Sequence, residues 1–239
     1  MSKKKETDGL DVVTEVNTIA QLKKDINKKY DSNVMINAQE IVEKERRVVS
    51  ISPALDLATG GGVVEGSWVI LSGLPKSGKS TTALQIAANA QLMGKDVFIG
   101  NVEHRLNKRE LCGIHNLDPS KVEIIQSQKD KILSAQEYLE EFMNIIKNVF
   151  GCVLIIDSSS ALCASSEYSS DITSAFRSEG PKLFASFCRR MSPLIPLQNI
   201  ILIIIQHLIA NTAITYGSPW YEDSGNKLKY QVDTHLRCT

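Results

Sequence analysis

The sequence predicts an α/β domain with a mostly parallel, twisted sheet flanked by helices and preceded by a helical arm. An apolar stretch at 69–71 leads into a glycine-bounded loop and then into a helical pattern. Further short apolar runs alternate with helical segments, and the most apolar run, 199–207, has the length of a central strand buried on both faces. Hydrophobic and charged contents of 43% and 23% are ordinary for one globular domain.

The N-terminal part differs in character from the rest. Residues 1–11 are charged and polar, and we predict that they are disordered. Residues 12–30 carry apolar side chains at helical spacing, with lysines towards the C-terminal end, and so predict an amphipathic helix. This helix could pack on its own domain or on a neighbouring subunit. We therefore divide the chain into a tail, 1–11, a helical oligomerisation arm, 12–49, and a core, 50–239.

The loop after the first core strand fits the phosphate-loop pattern G-x-x-x-x-G-K-[ST] at every fixed position. A strand, a tight loop and a helix N-terminus together present backbone N–H donors and the positive end of a helix dipole. We expect Lys79 to reach the β- and γ-phosphates of a nucleotide and Ser80 to ligate a Mg²⁺ ion. An ordinary loop before a helix is the alternative. The predicted nucleotide-binding residues are Gly73, Leu74, Pro75, Lys76, Ser77, Gly78, Lys79, Ser80 and Thr81.

Two carboxylates follow predicted strands. Glu103 comes just after the strand at 96–100, where open α/β sheets bind ligands, and could accept the proton of an attacking water. As an isolated glutamate it could equally be solvated surface. Asp157 ends the apolar run 153–156 in the form of a Walker B strand, whose aspartate holds magnesium, usually through water.

Composition limits the remaining possibilities. The five cysteines are far apart and form no C-x-x-C pair, which indicates reduced thiols rather than a disulfide set or a zinc site. No apolar run reaches the length of a membrane span, and the N-terminus lacks the apolar region of a signal peptide, so we expect a cytoplasmic protein. Because the formal net charge is zero, any contact with nucleic acid must come from a local patch.

The segment 208–225 has no clear periodicity and holds Tyr216, Trp220 and Tyr221 among polar residues. A compact domain rarely keeps so long an irregular loop without a use for it. Exposed aromatic side chains suit base stacking, at about 1–3 kcal/mol per base, although these three could equally pack on the core. Lys182 and Arg189 lie on the helical segment that follows a serine-rich loop.

With these motifs placed, residues 50–236 resemble the RecA-type recombinases, most closely the UvsX-like recombinases of bacteriophages. The segment 52–62 is similar to S-x-x-L-D-x-A-L-x-G-G-G-L, and Glu103-His104 is similar to the end of D-A-E-H. The segment 157–162 resembles the Walker B motif of the family, and 225–230 resembles G-N-A-L-K-F. Gln206 stands where asparagine is usual, and His207 stands where cellular RecA has glutamine.

The resemblance implies a RecA-like phosphate-loop ATPase core with ATP and Mg²⁺ as cofactors. Glu103 would activate the hydrolytic water, assisted by Lys79, while Gln206 and His207 would sense the γ-phosphate and begin the second DNA-binding loop. Residues 164–180 would form the first DNA-binding loop. The DNA-binding residues implied in this way are Arg177, Lys182, Arg189, Tyr216, Trp220, Tyr221 and Lys227.

The function implied is ATP-dependent homologous recombination, with filaments on single-stranded DNA, strand exchange and DNA-stimulated hydrolysis. Its partners would be single- and double-stranded DNA and further copies of the chain, joined through the N-terminal arm in a helical filament. It would work in the bacterial cytoplasm, encoded by the cell or by a phage. Family members continue beyond this sequence, which therefore resembles a fragment or a minimal form. Two alternatives stay open: a hexameric replicative helicase of the same core fold, or a non-hydrolysing accessory protein of a recombinase filament.

Overall fold

The computed structural model describes residues 15–169, 179–210, 220–222 and 228–239, and the predicted tail lies outside them. The chain forms two compact units, Met1–Glu45 and Arg46–Thr239. The described helices are α1 Glu15–Lys29, α2 Ala38–Val42, α3 Pro53–Thr59, α4 Lys79–Leu92, α5 Lys108–Cys112, α6 Ala135–Asn148, α7 Ser165–Ser169, α8 Glu179–Met191 and α9 Leu194–Leu197. The described strands are β1 Val48–Val49, β2 Val63–Val64, β3 Trp68–Gly73, β4 Val97–Asn101, β5 Val122–Ile125, β6 Val153–Asp157, β7 Ile201–Ala210, β8 Trp220–Glu222 and β9 Thr234–Cys238.

The first unit contains α1 and α2. Asn37 caps α2 and exchanges hydrogen bonds with Glu40 in a capping box, which fixes where this short helix begins. The side chain of Asn27 on α1 brackets the backbone of Met35, accepting from its N–H at 2.8 Å and donating to its carbonyl at 3.1 Å. Several large apolar side chains of this unit are exposed: Ile19, Leu22, Val34, Ile36, Ile41 and Val42.

The second unit is built on one large sheet in the strand order β5-β4-β6-β7-β3-β9, all parallel, with β8 antiparallel to β7. This confirms the predicted α/β class. The register places Gly73 beside His207 and Asn101 beside Asp157. The carboxyl ends of β3, β4, β6 and β7 therefore meet at one edge of the sheet, where ligands bind in folds of this type.

Helices cover both faces of this sheet and explain why its central strands β3, β6 and β7 are almost continuously apolar. On one face, Ala83 and Ala87 of α4 belong to a buried cluster with Val69. On the other face, Phe142 of α6 and Phe184 of α8 belong to a second cluster, together with alternate residues of the same strands. Because successive strand residues point to opposite faces, both of which are buried, no polar alternation remains in the sequence.

One sequence prediction needs correction. The segment 208–225 was expected to be irregular, yet β7 continues to Ala210 and pairs with β8 from Leu208 to Ala210. Strand β8 supplies the backbone hydrogen bonds that the rest of the sheet no longer offers to this end of β7. Helix α8 ends at Met191, and Pro196 lies within the short helix α9.

A buried ionic cluster, which we call the amino-end cluster, lies at the opposite end of the sheet from the ligand-binding edge. Lys95, in the turn before β4, pairs with Glu65, and its Nζ atom donates to the carbonyl of Gly151 at 2.9 Å. The two side chains are only 2% and 5% exposed. Arg47 adds a second cation, with its Nε atom 3.2 Å from the Glu65 carboxylate. Although burial raises the Glu65 pKa, its pairing with Lys95 and Arg47 outweighs that effect and lowers the pKa.

The described part of the chain contains no helix with the length and apolarity to cross a lipid bilayer. All five cysteines are free.

Candidate active site

The phosphate loop joins β3 to α4 in a conformation that requires glycine at two positions. Gly78, immediately before α4, has a φ of 91°, in the left-handed region that glycine adopts without strain. A Cβ atom on Gly73 would lie 2.4 Å from the carbonyl oxygen of Cys238 and 2.5 Å from Oγ of Ser77. The hydroxyl of Ser77 is buried and has no hydrogen-bond partner among the described residues. The loop therefore forms a narrow cradle with an unused polar group in it.

Lys79 lies at the floor of this cradle. Its Nζ atom donates to the carbonyls of Gly73 at 3.0 Å and Leu74 at 2.8 Å. Burial lowers its pKa, and among the described residues no carboxylate forms an ion pair with it. A buried ammonium held only by carbonyls is suited to receive an anionic ligand.

Ser80 and Asp157 meet beside the lysine. The Ser80 hydroxyl donates to the Asp157 carboxylate at 2.7 Å, and burial raises the pKa of Asp157. Hydroxyl and carboxylate oxygens are the hard ligands that Mg²⁺ prefers, and a cation there would offset the buried negative charge. The described residues hold no cluster of three or more His, Cys, Asp or Glu side chains able to bind a metal. The protein would therefore supply only part of the coordination of a magnesium ion at this point, and phosphate oxygens and water would supply the rest.

Glu103 is held at the edge of the sheet by the turn after β4, whose Val102 N–H donates to the carbonyl of Asp157 at 2.8 Å. Its carboxylate lies 3.0 Å from Nε2 of His207 and accepts from the hydroxyl of Ser158. The Nε atom of Arg105 lies 3.2 Å from its other oxygen. The bond with His207, followed by those with Ser158 and Arg105, lowers the Glu103 pKa to about 2 despite burial. Glu103 is therefore ionised at neutral pH, as a proton acceptor must be.

These residues line one cavity of about 390 Å³. Its wall includes residues 75–81, and all seven of them belong to the predicted nucleotide-binding set. The predicted residues Glu103, Asp157 and His207 complete the same wall, and three residues that the sequence reasoning missed join them: Arg105, Leu106 and Glu110. The structure therefore brings together in one place side chains from four separate parts of the sequence.

The RecA N-terminal domain family matches residues 17–238 of the chain. The chain belongs to this family. Its relatives include the mitochondrial DNA repair protein recA homolog of Dictyostelium discoideum, 27% identical over 216 residues, which are 90% of this chain and 46% of that protein. Protein RecA of Geobacter sulfurreducens is 27% identical over 91% of this chain and 62% of its own length. Protein RecA of a Wolbachia strain from Drosophila simulans is 28% identical over 92% and 60%.

The expected RecA-type resemblance is thereby confirmed, whereas the expected closeness to the UvsX-like phage proteins stays a prediction. The chain spans about half to three fifths of the length of these RecA relatives.

Besides Gly73 and Leu74, Gln206 is a predicted site residue near this edge that does not line the cavity. Its side chain is 1% exposed, and neither amide atom has a hydrogen-bond partner among the described residues. It precedes His207 on β7, so its side chain points to the other face of the sheet. Its expected role beside the γ-phosphate stays a prediction.

The described residues among those expected to bind DNA do not line the cavity. Lys182 and Arg189 are exposed on α8, seven positions apart and so on the same side of that helix. Trp220 and Tyr221 lie on β8 with exposed fractions of 36% and 46%. The other three, Arg177, Tyr216 and Lys227, lie outside the described residues. DNA contact at these positions stays a prediction.

The functional residues that sequence reasoning missed had only a weak signal. Arg105 follows Glu103 by two positions, and Ser158 follows Asp157 by one, so their place beside the site could be inferred only from their neighbours. Ser160 accepts a hydrogen bond from the His207 N–H at 3.2 Å, a contact that depends on the packing of β6 beside β7. Spacing in the sequence cannot show such a contact.

Proposed function

We propose that this chain is a DNA-dependent ATPase that forms filaments on single-stranded DNA and promotes strand exchange in homologous recombination. The observation that carries the proposal is the convergence of Lys79, Ser80, Asp157 and Glu103 on one cavity, in a chain that belongs to the RecA N-terminal domain family. The names of its relatives, a DNA repair protein and several RecA proteins, support the same function.

In this proposal the phosphate loop binds ATP through its backbone N–H groups and Lys79. The ammonium leaves the carbonyls of Gly73 and Leu74 and pairs with the β- and γ-phosphates, while the free hydroxyl of Ser77 gains a partner. Ser80 and Asp157 would hold Mg²⁺, which when bound neutralises charge on the phosphates.

Glu103 would accept the proton of the attacking water. Its carboxylate is in contact with His207, Ser158 and Arg105. Water can use this base only after some of these contacts have opened. We propose that His207 turns towards the γ-phosphate when ATP binds, which frees one oxygen of Glu103 and reports the nucleotide state along β7.

DNA binding would follow this change because β7 runs from His207 directly into the β7–β8 hairpin, where Trp220 and Tyr221 lie. The amphipathic α1, with exposed Ile19 and Leu22, would join neighbouring copies into a filament.

Electron microscopy of the protein with ATP, Mg²⁺ and single-stranded DNA tests this proposal. We expect helical filaments with the wild-type chain and none with Lys79→Ala, since the loop then lacks its phosphate-binding cation. Lys121→Ala removes a lysine that pairs with Asp118 away from the cavity and should leave filaments unchanged. Closed rings would favour the helicase alternative, and filaments without ATP turnover would favour the accessory protein. Filaments that are unchanged in Lys79→Ala would refute the assignment.

A further inference from the structure

Arg105 is a cationic side chain at the cavity for which the proposed function gives no role. Its Nε atom lies 3.2 Å from Glu103 Oε2, and it lines the same cavity as Lys79 and Ser80. The two paired side chains differ in exposure, with Glu103 at 10% and Arg105 at 78%. The guanidinium therefore lies at the solvent side of the base, whereas Lys79 lies at the floor of the loop.

The charges in the cavity show why a second cation is needed there. The base candidate Glu103 and the metal candidate Asp157 are both carboxylates, and both line this cavity. A triphosphate whose terminal group comes close to Glu103 adds further negative charge at the same point. Lys79 can balance the phosphates at the loop, but Arg105 is the lining cation that pairs with Glu103 itself.

A purely structural role does not account for Arg105. An ion pair with a partner as exposed as this one contributes only about 0–1 kcal/mol to folding. A guanidinium carries five N–H donors in a planar fork that matches phosphate oxygens, and its long side chain can swing through the cavity mouth. Because 78% of the Arg105 side chain is exposed, most of these donors are accessible to solvent.

We propose that Arg105 is a catalytic residue supplied within the same chain, which leaves Glu103 and donates hydrogen bonds to the transferred γ-phosphoryl group during hydrolysis. In this step the water oxygen bonds to the γ-phosphorus, and the bond from that phosphorus to the β–γ bridging oxygen breaks. ADP leaves with the bonding electron pair, and Glu103 takes a proton from the water. Arg105 transfers no proton. It stabilises the charge on the γ-phosphoryl oxygens, and its departure frees the Glu103 carboxylate. This inference rests on the proposed ATPase function.

Steady-state ATP hydrolysis by Arg105→Ala and Arg105→Lys, with and without single-stranded DNA, tests the proposal. We expect kcat to fall by about 100-fold or more in Arg105→Ala, because arginines that contact a transferred phosphoryl group are worth about 10³–10⁵ in rate. Affinity for ATP, measured with a fluorescent analogue, should change by less than about threefold. Arg105→Lys keeps the charge but not the fork and should recover no more than about tenfold. Arg109→Ala removes an exposed arginine of α5 that does not line the cavity and serves as the control.

A second measurement separates transition-state contact from an indirect effect. Wild-type protein should bind ADP with aluminium fluoride, a mimic of the transferred phosphoryl group, far more tightly than ADP alone, and Arg105→Ala should lose that gain. Added guanidinium ion should restore part of the turnover of Arg105→Ala and none of that of Lys79→Ala. Circular dichroism and thermal unfolding check that each variant is folded.

Each outcome decides one of the two proposals. If the wild-type chain does not hydrolyse ATP, the proposed function fails and this inference fails with it. If the wild-type chain hydrolyses ATP and Arg105→Ala keeps kcat within about threefold, only the role of Arg105 is overturned. A loss of ATP affinity with kcat unchanged also overturns it, because Arg105 would then bind the ground state and the transition state equally.

Discussion

A lysine is buried at each end of the large sheet, and the two lysines differ in whether a carboxylate balances the charge. At the amino-end cluster, Lys95 has the carboxylate of Glu65 and a carbonyl as partners. At the phosphate loop, Lys79 has two carbonyls, and no carboxylate of the described residues pairs with it. The first charge is balanced within the fold, whereas the second is left for a ligand to balance.

This difference shows how to tell a structural buried charge from a functional one. A buried ion pair whose partners are present locks neighbouring turns together, and removal of one member leaves an uncompensated charge. A buried cation without a counter-ion lowers stability until an anion binds, so its presence is explained by binding rather than by folding. Residues that lower stability in the ligand-free state are expected at active sites.

The same substitution at the two lysines gives the largest effects that we predict. Lys95→Met should destabilise the chain by about 3–5 kcal/mol, because Glu65 keeps a buried charge with only the exposed Arg47 beside it. Lys79→Met should leave stability unchanged or slightly raised, while ATP binding is lost. Urea unfolding at pH 7 measures the stability of both variants.

The double variant Glu65→Leu/Lys95→Met serves as the control for the amino end. It removes both charges and should recover most of the lost stability, as apolar replacements of buried ion pairs often do. The comparison breaks down if Lys79→Met proves as destabilising as Lys95→Met, since Lys79 would then be part of the structural framework.

A smaller effect concerns the pH dependence of stability through Glu103. Its pKa in the folded chain is about 2, below the ordinary value of 4.5. The ionised carboxylate therefore stabilises the fold above pH 4.5, and this contribution disappears as the pH falls from 4.5 towards 2. We expect wild type to be more stable than Glu103→Gln by about 1–2 kcal/mol at pH 7. The difference should shrink as the solution is acidified.

Denaturant unfolding of both proteins between pH 7 and pH 3 checks this prediction. Glu123→Gln, at an exposed position of β5, should show no such pH-dependent difference. A gap between wild type and Glu103→Gln that stays constant down to pH 3 would contradict the assignment of its low pKa to His207, Ser158 and Arg105.

The smallest effect is expected at the rim of the amino-end cluster. Arg47 contacts the same carboxylate as Lys95 but has 66% of its side chain exposed. Because solvent screens such a pair, Arg47→Ala should cost less than about 1 kcal/mol. Thermal unfolding in low and high salt tests this, and a loss comparable to that of Lys95→Met would show that Arg47 carries the cluster.

The sequence predicted many of the residues that line the cavity because the motifs that hold them are local. The phosphate loop lies within eight consecutive residues, and Glu103 and Asp157 directly follow apolar strands, so the parallel sheet brings them to one edge. The capping box at Ser134 and Glu137, which begins α6, could be inferred for the same reason.

What the sequence could not show depends on pairing between distant segments. The β7–β8 hairpin was missed because Gln206 and His207 interrupt the apolar run just before the pairing begins at Leu208. The amino-end cluster joins Arg47, Glu65, Lys95 and Gly151, which come from four turns of the chain. Charged residues in turns normally face solvent, so nothing in the pattern distinguishes a buried Lys95 from a surface lysine.

The length of β7 has a mechanical consequence. The strand passes His207 at the cavity and continues for three residues, about 10 Å, while β8 stiffens it by pairing with those residues. A two-stranded ribbon of this kind is stiffer than a loop and is expected to rotate as one body. A rotation that moves His207 by a fraction of an ångström therefore sweeps Ala210 through a larger arc. In the proposed switch, the ribbon would carry a movement of His207 to Ala210, and the amplification would depend on the length of β7 beyond His207.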